Sequence, residues 1–189
     1  VPVRLGDCGL YALSPDGRHV LCGEGEVGRP REFRIVPTGP GESTALPRGP
    51  IDRYQWGFFC PDSRRVVFTA QEKGRPRRLF VQDRTGGPPR PLTPEGVAHE
   101  MPRMRGNLVL SRNADDPGDP WRLYPLDGGE PEPMPWLRPG DFPVGWSEDA
   151  RHFLVLESLA FPLEVTRLDL ATGERRTWLE TRPPDETAV

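Results

Sequence analysis

Short apolar runs, each preceded by a polar turn, return at a regular interval along the chain. The turns and the runs that follow them are SPDGR at 14–18 before HVLC at 19–22, CPDSR at 60–64 before RVVF at 65–68, RGN at 105–107 before LVL at 108–110, and SEDAR at 147–151 before HFLVL at 152–156. The third copy is degenerate because it lacks the Asp of the other three. An interval of about 45 residues is a repeat, which has to be recognised before any single element is assigned.

Three further sets of short segments keep the same phase as the apolar runs. One set begins about 16 residues after each anchor, at 32–37, 78–83, 121–126 and 164–170. Each of these is followed by a glycine-containing turn, at 38–41, 85–88, 127–129 and 171–174. A short strand follows each of those turns (43–46, 90–93, 132–136 and 176–180), and another precedes each anchor (10–13, 54–60, 98–104 and 142–146). Glycine supplies the positive φ that tight hairpins need, so every unit is predicted as four antiparallel strands.

Four strands in about 45 residues is the size of one blade of a β-propeller, in which neighbouring sheets pack face to face. The sequence therefore predicts an all-β single domain over residues 1–189, with four-stranded antiparallel blades. The predicted blades are 9–47, 53–94, 97–137 and 141–180, followed by a tail at 181–189. A β-sandwich is the competing all-β architecture, but it would not require strands and turns to return in register four times.

Composition agrees with a chain rich in turns. The 21 Gly and 25 Pro disfavour long helices, because each is unfavourable in a helix interior. The apolar runs are only a few residues long, far below the roughly 20 that cross a bilayer, so no membrane span is predicted. The N-terminus shows no basic region followed by an apolar one, so no signal peptide is predicted. We leave the location open between the cytoplasm and the periplasm of a bacterium, the arginine-rich basic residues being typical of a GC-rich genome.

The net charge of −3 conceals an asymmetry, since residues 1–94 sum to +5 and residues 95–189 to −8. A weakly acidic chain does not suggest nucleic-acid binding, which usually requires a basic face. The three cysteines, Cys8, Cys22 and Cys60, form no CxxC pair and do not indicate a zinc site. Buried free thiols are the favoured interpretation, and one disulfide with a spare thiol is the alternative.

The turn SPDGR with its apolar strand, a later strand such as RLFVQD and a GG turn together resemble the WD40-like β-propeller repeat of the TolB type. The same repeat occurs in the propellers of prolyl-oligopeptidase-like hydrolases and in bacterial kinases and regulators, so the resemblance implies a fold rather than a function. Ser63 and Ala150 stand where the first turn has Gly17. Because glycine favours positive φ, we expect these two turns to be looser.

No motif for catalysis, metal or cofactor emerges from the sequence. A GxSxG nucleophile turn is missing, and so are phosphate-binding glycine loops. His19, His99 and His152 are scattered, and we interpret them as surface residues of the repeat rather than metal ligands. The acidic loop 113–119 lacks the spacing of a calcium loop and is interpreted as a solvated hairpin. We therefore predict no catalytic residue, no metal ligand and no cofactor.

One constellation is a candidate binding site. The segment GRPR occurs twice, at 28–31 and 74–77, in the same loop of consecutive blades. Its candidate residues are Arg29, Arg31, Arg75 and Arg77. Guanidinium groups bind carboxylates and phosphates bidentately, so these loops could engage an acidic partner. Two alternatives stay open: GRPR is a hairpin loop retained after duplication, or the arginine loops pair with the acidic loop of the third blade. Trp56 and Trp146, at matching positions, are interpreted as packing between blades.

Two functions follow as hypotheses. The first is a non-catalytic binding, scaffolding or sensor propeller that engages a protein or peptide through loops at one mouth of its channel. The alternative is the propeller of a larger prolyl-oligopeptidase-like serine hydrolase, which would control access to a catalytic domain elsewhere. The C-terminal residues 181–189 look more like a frayed end than a linker, which favours the first. We also expect the four blades to belong to a larger propeller, the alternatives being a closed four-bladed ring and a dimer of two half-rings, and we expect an open arc to self-associate.

Overall fold

A computed structural model of the chain describes residues 8–26, 29–98 and 103–181. The described part consists of strands, turns and loops, and it includes no helix that could cross a membrane. The strands of blade 1 are β1 (Gly9–Leu13), β2 (His19–Glu26), β3 (Arg29–Pro37) and β4 (Thr44–Ala45). Those of blade 2 are β5 (Ile51–Phe59), β6 (Arg65–Glu72), β7 (Arg78–Asp83) and β8 (Gly86–Pro91).

The second half of the chain repeats this order. Blade 3 contains β9 (Arg103–Arg105), β10 (Leu108–Ser111), β11 (Arg122–Pro125) and β12 (Glu132–Pro133). Blade 4 contains β13 (Phe142–Trp146), β14 (His152–Leu156), β15 (Leu163–Asp169) and β16 (Arg175–Thr181). Each blade is a four-stranded antiparallel sheet whose strands pair in chain order. The predicted all-β fold with four-stranded propeller blades is confirmed.

The polar turn between the first two strands of a blade is closed by its own side chains. In blade 1, Ser14 Oγ accepts a hydrogen bond from the His19 backbone N–H at 2.9 Å and donates one to Asp16 Oδ1 at 2.6 Å. Asp16 Oδ1 also accepts from the Arg18 backbone N–H at 3.0 Å. These hydrogen bonds lower the pKa of Asp16. Blade 4 repeats the arrangement, since Ser147 Oγ donates to Asp149 Oδ1 at 2.7 Å.

The expectation of looser turns at Ser63 and Ala150 is wrong. Both residues have φ of 55°, close to the 70° of Gly17, so the turn keeps its left-handed residue even without glycine. The Ala150 N–H donates to the Ser147 carbonyl at 2.9 Å, as the Gly17 N–H does to Ser14 at 2.8 Å. Ser63 adds a contact between blades, because its Oγ accepts a hydrogen bond from the Asp16 N–H at 3.0 Å.

Three apolar cores lie between consecutive blades and hold the sheets face to face. The core between blades 1 and 2 includes Leu21, Phe33, Ile35, Tyr54, Val66 and Phe68. The core between blades 2 and 3 includes Cys60, Val67, Leu79, Val81, Val109 and Tyr124. The core between blades 3 and 4 includes Leu110, Trp121, Leu123, Phe153, Val155 and Leu168. Side chains alternate between the two faces of a strand, so one strand supplies both neighbouring cores.

The four blades form an open arc. Among the described residues, shared apolar cores join blades 1 and 2, blades 2 and 3, and blades 3 and 4, and no such core joins blade 4 to blade 1, which is not the arrangement of a closed four-bladed ring. The outward face of blade 4 shows the consequence. Leu154 is partly exposed there, although the residues at its place in the other blades, Leu21, Val67 and Leu110, are fully buried. Membership in a larger propeller stays a prediction.

The interpretation of three free thiols is wrong. Cys8 and Cys22 form a disulfide, with Cα atoms 5.6 Å apart, and only Cys60 is a free cysteine. Cys22 lies on β2 opposite Leu10 of β1, so Cys8, two residues before Leu10, is close enough to bond. Repeat spacing did not reveal this pair, because Cys8 lies just before the first strand of the repeat.

Thiol counting tests this arrangement. Burial, together with the nearby Asp62 charge, raises the pKa of the Cys60 thiol to about 12, so almost no thiolate exists near pH 8. The folded, unreduced chain should react with no equivalent of a thiol reagent, the unfolded chain with one, and the unfolded, reduced chain with three. Mass spectrometry after alkylation measures each state, and rapid labelling of Cys60 in the native chain would contradict the packing between blades 2 and 3.

The left-handed alanine gives a second prediction. Ala150→Gly should raise the free energy of unfolding by about 1 kcal/mol, because an L-residue in this region costs roughly 1–2 kcal/mol, part of which the added flexibility of glycine offsets. The matched variant Gly17→Ala introduces the same strain into blade 1 and should destabilise by a similar amount. Urea titration measures both, and a destabilised Ala150→Gly chain would show that the strain is absent.

Candidate functional site

The topology separates the loops into two ends of the arc. In a sheet of sequential antiparallel strands, the loop between the second and third strands lies at the same end as the connection to the next blade. We call this end the arginine mouth; its described segments are 73–77, 112–121 and 157–162 within blades, and 46–50, 92–98 and 134–141 between them. The polar turns of the repeat lie at the opposite end.

The connections between blades follow one turn design that places charges at the arginine mouth. The N–H of Ile51 donates to the Arg48 carbonyl at 3.2 Å, and the N–H of Asp141 donates to the Arg138 carbonyl at 3.0 Å. The N–H of Val97 donates the equivalent hydrogen bond to the Pro94 carbonyl at 3.1 Å. Glycine within these turns allows a left-handed residue, as at Gly96 with φ of 83°. The turn of 94–97 thereby places Glu95 beside the loop of 73–77.

Arg75 and Arg77 lie together in the β6–β7 loop, and each has an acidic partner from another segment. Arg75 Nη1 lies 3.1 Å from Glu95 Oε1, and its loop is fixed by the Gly96 N–H, which donates to the Arg77 carbonyl at 2.9 Å. Arg77 Nη2 lies 2.8 Å from Asp115 Oδ1, across the boundary between blades 2 and 3. The alternative in which an arginine loop pairs with the acidic loop is therefore found at this junction.

The acidic loop is organised by its own backbone. The Asn113 N–H donates to Asp119 Oδ2 at 2.6 Å, and the Gly118 N–H donates to Asp116 Oδ1 at 2.9 Å. Asp119 also pairs with Arg122 at 2.9 Å. In the described part of the chain, no group of three or more His, Cys, Asp or Glu side chains is arranged to hold a metal ion. Asp115 and Asp116 are exposed, and 71% of the Asp115 side chain is accessible.

The first GRPR segment lies apart from the second. Arg31 is exposed on β3 and lines a shallow cavity of about 340 Å³ together with Glu24, Glu32 and Arg48. Within the described residues, the Arg31 guanidinium has no ion-pair partner. The backbone of Arg29 belongs to β3, and its side chain lies outside the described part. The structure thus brings Arg75 and Arg77 together and places Arg31 on the neighbouring blade.

A buried charge cluster at the same mouth was missed by sequence reasoning. Arg175 Nη2 lies 2.6 Å from Asp141 Oδ2, with only 13% and 3% of the two side chains exposed. Arg175 Nη1 also contacts Glu157 at 2.9 Å, and these carboxylates raise the pKa of the guanidinium. A signal existed in the repeat, because RGP at 48–50 and RPG at 138–140 mark equivalent turns. Of these two turns, only the one at 138–140 is followed directly by an acidic residue, Asp141.

The tryptophans and histidines that recur in the repeat lie at the blade boundaries and beside the polar turns. Trp56 contacts Tyr11 of blade 1 at a centroid distance of 6.0 Å, and Trp146 receives Arg105 of blade 3 over its ring at 4.8 Å, so both pack between blades as predicted. His19 and His152 are partly buried beside the polar turns. Burial lowers the pKa of His19, and Arg84 lowers it further. His99 lies outside the described residues.

A larger cleft lies at the opposite end, between blades 2 and 3. It has a volume of about 720 Å³, and its walls include β8 and the polar turn of blade 2. Arg65 crosses the boundary there, pairing with Asp62 at 2.7 Å and with Asp127 at 2.8 Å. Arg64 pairs with Asp83 at 2.8 Å. Arg65 thus joins blades 2 and 3 through Asp127, whereas the Arg64 pair lies within blade 2.

Comparison with solved structures identifies the fold. Over 92% of its length the chain superposes on TolB from Agrobacterium tumefaciens, with a TM-score of 0.68, and on TolB from Acinetobacter baumannii, with 0.61. It superposes equally on a prolyl endopeptidase, with a TM-score of 0.62. The sequence identities are 15%, 18% and 18%. The sequence matches no protein-family model and no curated protein.

These similarities show the fold alone, because every identity is below 25%. The chain spans 63% of the Agrobacterium protein, 44% of the Acinetobacter protein and 26% of the prolyl endopeptidase. The resemblance to TolB-type propellers and to the propellers of prolyl-oligopeptidase-like hydrolases is thus confirmed at the level of architecture.

The buried charge cluster gives a prediction about stability. Arg175→Met should lower the free energy of unfolding by about 3 kcal/mol or more, because it leaves the Asp141 carboxylate buried without its cation. The control Arg64→Met removes an exposed arginine that also pairs with an aspartate, and it should cost less than about 1 kcal/mol. Urea denaturation at pH 7 measures both, and equal effects would contradict the burial of the Arg175 pair.

Proposed function

We propose that the chain is a non-catalytic binding module, and that its arginine mouth engages an acidic segment of a protein or peptide. The observation that supports this most directly is the ion pair between Arg77 and Asp115. The arginine is largely shielded while the aspartate is exposed, at 24% and 71% of their side chains. The Asp115 carboxylate thus binds the Arg77 guanidinium in the way that a ligand carboxylate would.

Replacing Asp115 by a ligand carboxylate costs little. An ion pair with one well-exposed member contributes about 0–1 kcal/mol, so the internal pair is a weak competitor. Arg75 is in the same position, because 56% of its side chain is exposed and its partner Glu95 is also accessible. A ligand with two or more carboxylates could therefore engage both guanidinium groups of the β6–β7 loop while the loop backbone stays unchanged.

Arg31 extends this surface onto blade 1. Its guanidinium is exposed and lies in a cavity with Glu24, Glu32 and Arg48, where both glutamates already pair with Arg34, at 3.3 Å and 3.1 Å. An extended acidic ligand that binds Arg75 and Arg77 would meet Arg31 next along the mouth.

A second function is favoured by one comparison. The chain superposes on a prolyl endopeptidase over 92% of its length while covering 26% of that protein. In this alternative the chain is the propeller of a larger serine hydrolase, and the arginine mouth faces the catalytic domain or its substrate. The sequence of the parent gene on both sides of these residues distinguishes the two: a hydrolase domain with a GxSxG turn supports the alternative and would overturn the non-catalytic proposal.

The binding proposal predicts a salt-sensitive interaction with a fluorescent oligoglutamate peptide. Changing Arg29, Arg31, Arg75 and Arg77 to Ala should weaken binding at least about tenfold and reduce its salt dependence, since screening weakens only charged contacts. Asp115→Asn should strengthen binding, because it releases Arg77. Fluorescence anisotropy at several ionic strengths measures both effects.

The control is Arg18→Ala, which removes an exposed arginine at the opposite end of the arc and should leave peptide affinity unchanged. The melting temperature of the fourfold variant should shift little, since an ion pair with an exposed member, such as that of Arg77 with Asp115, contributes little to stability. A drop of many degrees would mean that these arginines are structural, and unchanged affinity in both the fourfold and the Asp115→Asn variants would refute the site.

A further inference from the structure

The boundary between blades 1 and 2 contains an arginine without an acidic partner. Arg84 follows β7 and reaches across to β2, where its Nη1 lies 3.2 Å from His19 Nε2. In the described part of the chain, no carboxylate lies within ion-pair distance of Arg84, although the residue is partly buried. Charges that leave water are normally paired, because burial removes the solvent that would stabilise them. Arg84 is thus an unpaired cation at this boundary.

The hydrogen-bonding roles of the two side chains follow from their chemistry. A guanidinium group only donates, so His19 Nε2 accepts from Arg84, and the hydrogen of the neutral ring lies on Nδ1. Both this Nδ1 and the Nε of Arg84 are buried, and neither has a hydrogen-bond partner among the described residues. Buried polar atoms are nearly always hydrogen-bonded in proteins. The boundary therefore has more donors than acceptors.

The boundary between blades 2 and 3 shows which group is missing. There Arg65 begins β6 as His19 begins β2, and its guanidinium pairs at 2.8 Å with Asp127, from the segment between β11 and β12. Asp127 opens a DGG turn, and the matching TGG turn of blade 2 has Thr85 in its place. Blade 2 therefore presents no carboxylate to blade 1 at the position from which blade 3 presents one to blade 2.

A cavity of about 320 Å³ lies at the same boundary, and both Arg84 and His19 line it. Ile35 and Pro37 of β3 supply apolar surface to its wall, and Glu42 is the acid in its lining. A volume of roughly 300 Å³ is at the lower end of the range for small-molecule sites. The cavity lies at the polar-turn end of the arc, opposite the arginine mouth, so it is a separate site.

We propose that this cavity binds a small organic carboxylate, which supplies to Arg84 the acid that Asp127 supplies to Arg65. The carboxylate accepts hydrogen bonds from the Arg84 guanidinium, whose planar fork matches its two oxygens. An apolar tail packs against Ile35 and Pro37. Glu42 repels anions, and it repels a doubly charged anion such as phosphate more than a singly charged one. The lining thus favours a monocarboxylate over phosphate.

The test is a titration of the 189-residue chain with 3-methylbutanoate, followed by NMR of the histidine ring protons. The carboxylate should shift the His19 signals saturably and raise the pKa of His19, because a nearby anion stabilises the imidazolium form. Asp16 and Arg18 also act on this ring, so ionic strength and pH are held fixed while the ligand is varied. The uncharged counterpart, 3-methylbutanamide, should produce neither effect.

Two substitutions separate the site from the fold. Arg84→Met should weaken carboxylate binding at least about tenfold without lowering the melting temperature by more than a few degrees, because it removes a partly buried charge that has no counter-ion. Glu42→Gln should strengthen binding about twofold, since it removes a like charge from the lining. The control Arg151→Met removes an exposed arginine from the same end of blade 4 and should leave the affinity unchanged.

Equal binding of the acid and the amide, or a carboxylate affinity that Arg84→Met leaves unchanged, overturns the proposal. So does the absence of any saturable shift up to about 50 mM carboxylate. Phosphate binding tighter than carboxylate binding overturns the assignment of the ligand class. The fourfold variant of the arginine mouth should bind 3-methylbutanoate as the wild type does, so the two sites can fail separately.

Discussion

Face-to-face packing of sheets is the interaction on which the rest of this structure depends. No blade is stable alone, since each sheet has two apolar faces and a single strand such as β6 sends Val66 into one core and Val67 into the next. Three shared cores follow from four blades, and they explain why the apolar runs of the sequence are continuous rather than alternating. These cores position the polar turns at one end of the arc, the arginine mouth at the other end, and the outermost strand of each blade.

The fold could be predicted from the sequence because its signals are local and repeated. The serine and aspartate of SPDGR close a turn by bonds within five residues, and that turn sets the phase of the strands beside it. The same locality explains the error at Ala150: the Ser147 and Asp149 bonds hold the turn in place, so the backbone accepts positive φ without glycine. The hydrogen bonds of the neighbouring residues outweigh the preference of alanine for negative φ.

Only the arginines of the candidate site could be predicted from the sequence; their acidic partners could not. Duplication of GRPR marked the arginines, but their partners, Glu95 and Asp115, lie 20 and 38 residues away and follow from how adjacent blades meet. The buried pair of Arg175 and Asp141 spans 34 residues for the same reason. Contacts between residues so far apart in the sequence depend on how adjacent blades pack against each other, which no local sequence pattern encodes. The disulfide of Cys8 and Cys22 was missed differently, because its first cysteine precedes the repeat.

One substitution in the repeat limits how such an arc can be extended. Ile35, Val81 and Leu123 occupy one equivalent place on the outward faces of blades 1, 2 and 3, and each is buried, whereas blade 4 has the exposed Arg167 there. A blade with the apolar inward face of blade 2 could not cover this guanidinium without stranding a charge. A neighbour that covers this face would have to satisfy the Arg167 guanidinium with hydrogen-bond acceptors or an aromatic ring, so blade 4 requires a partner surface different from the apolar faces that join blades 1 to 3.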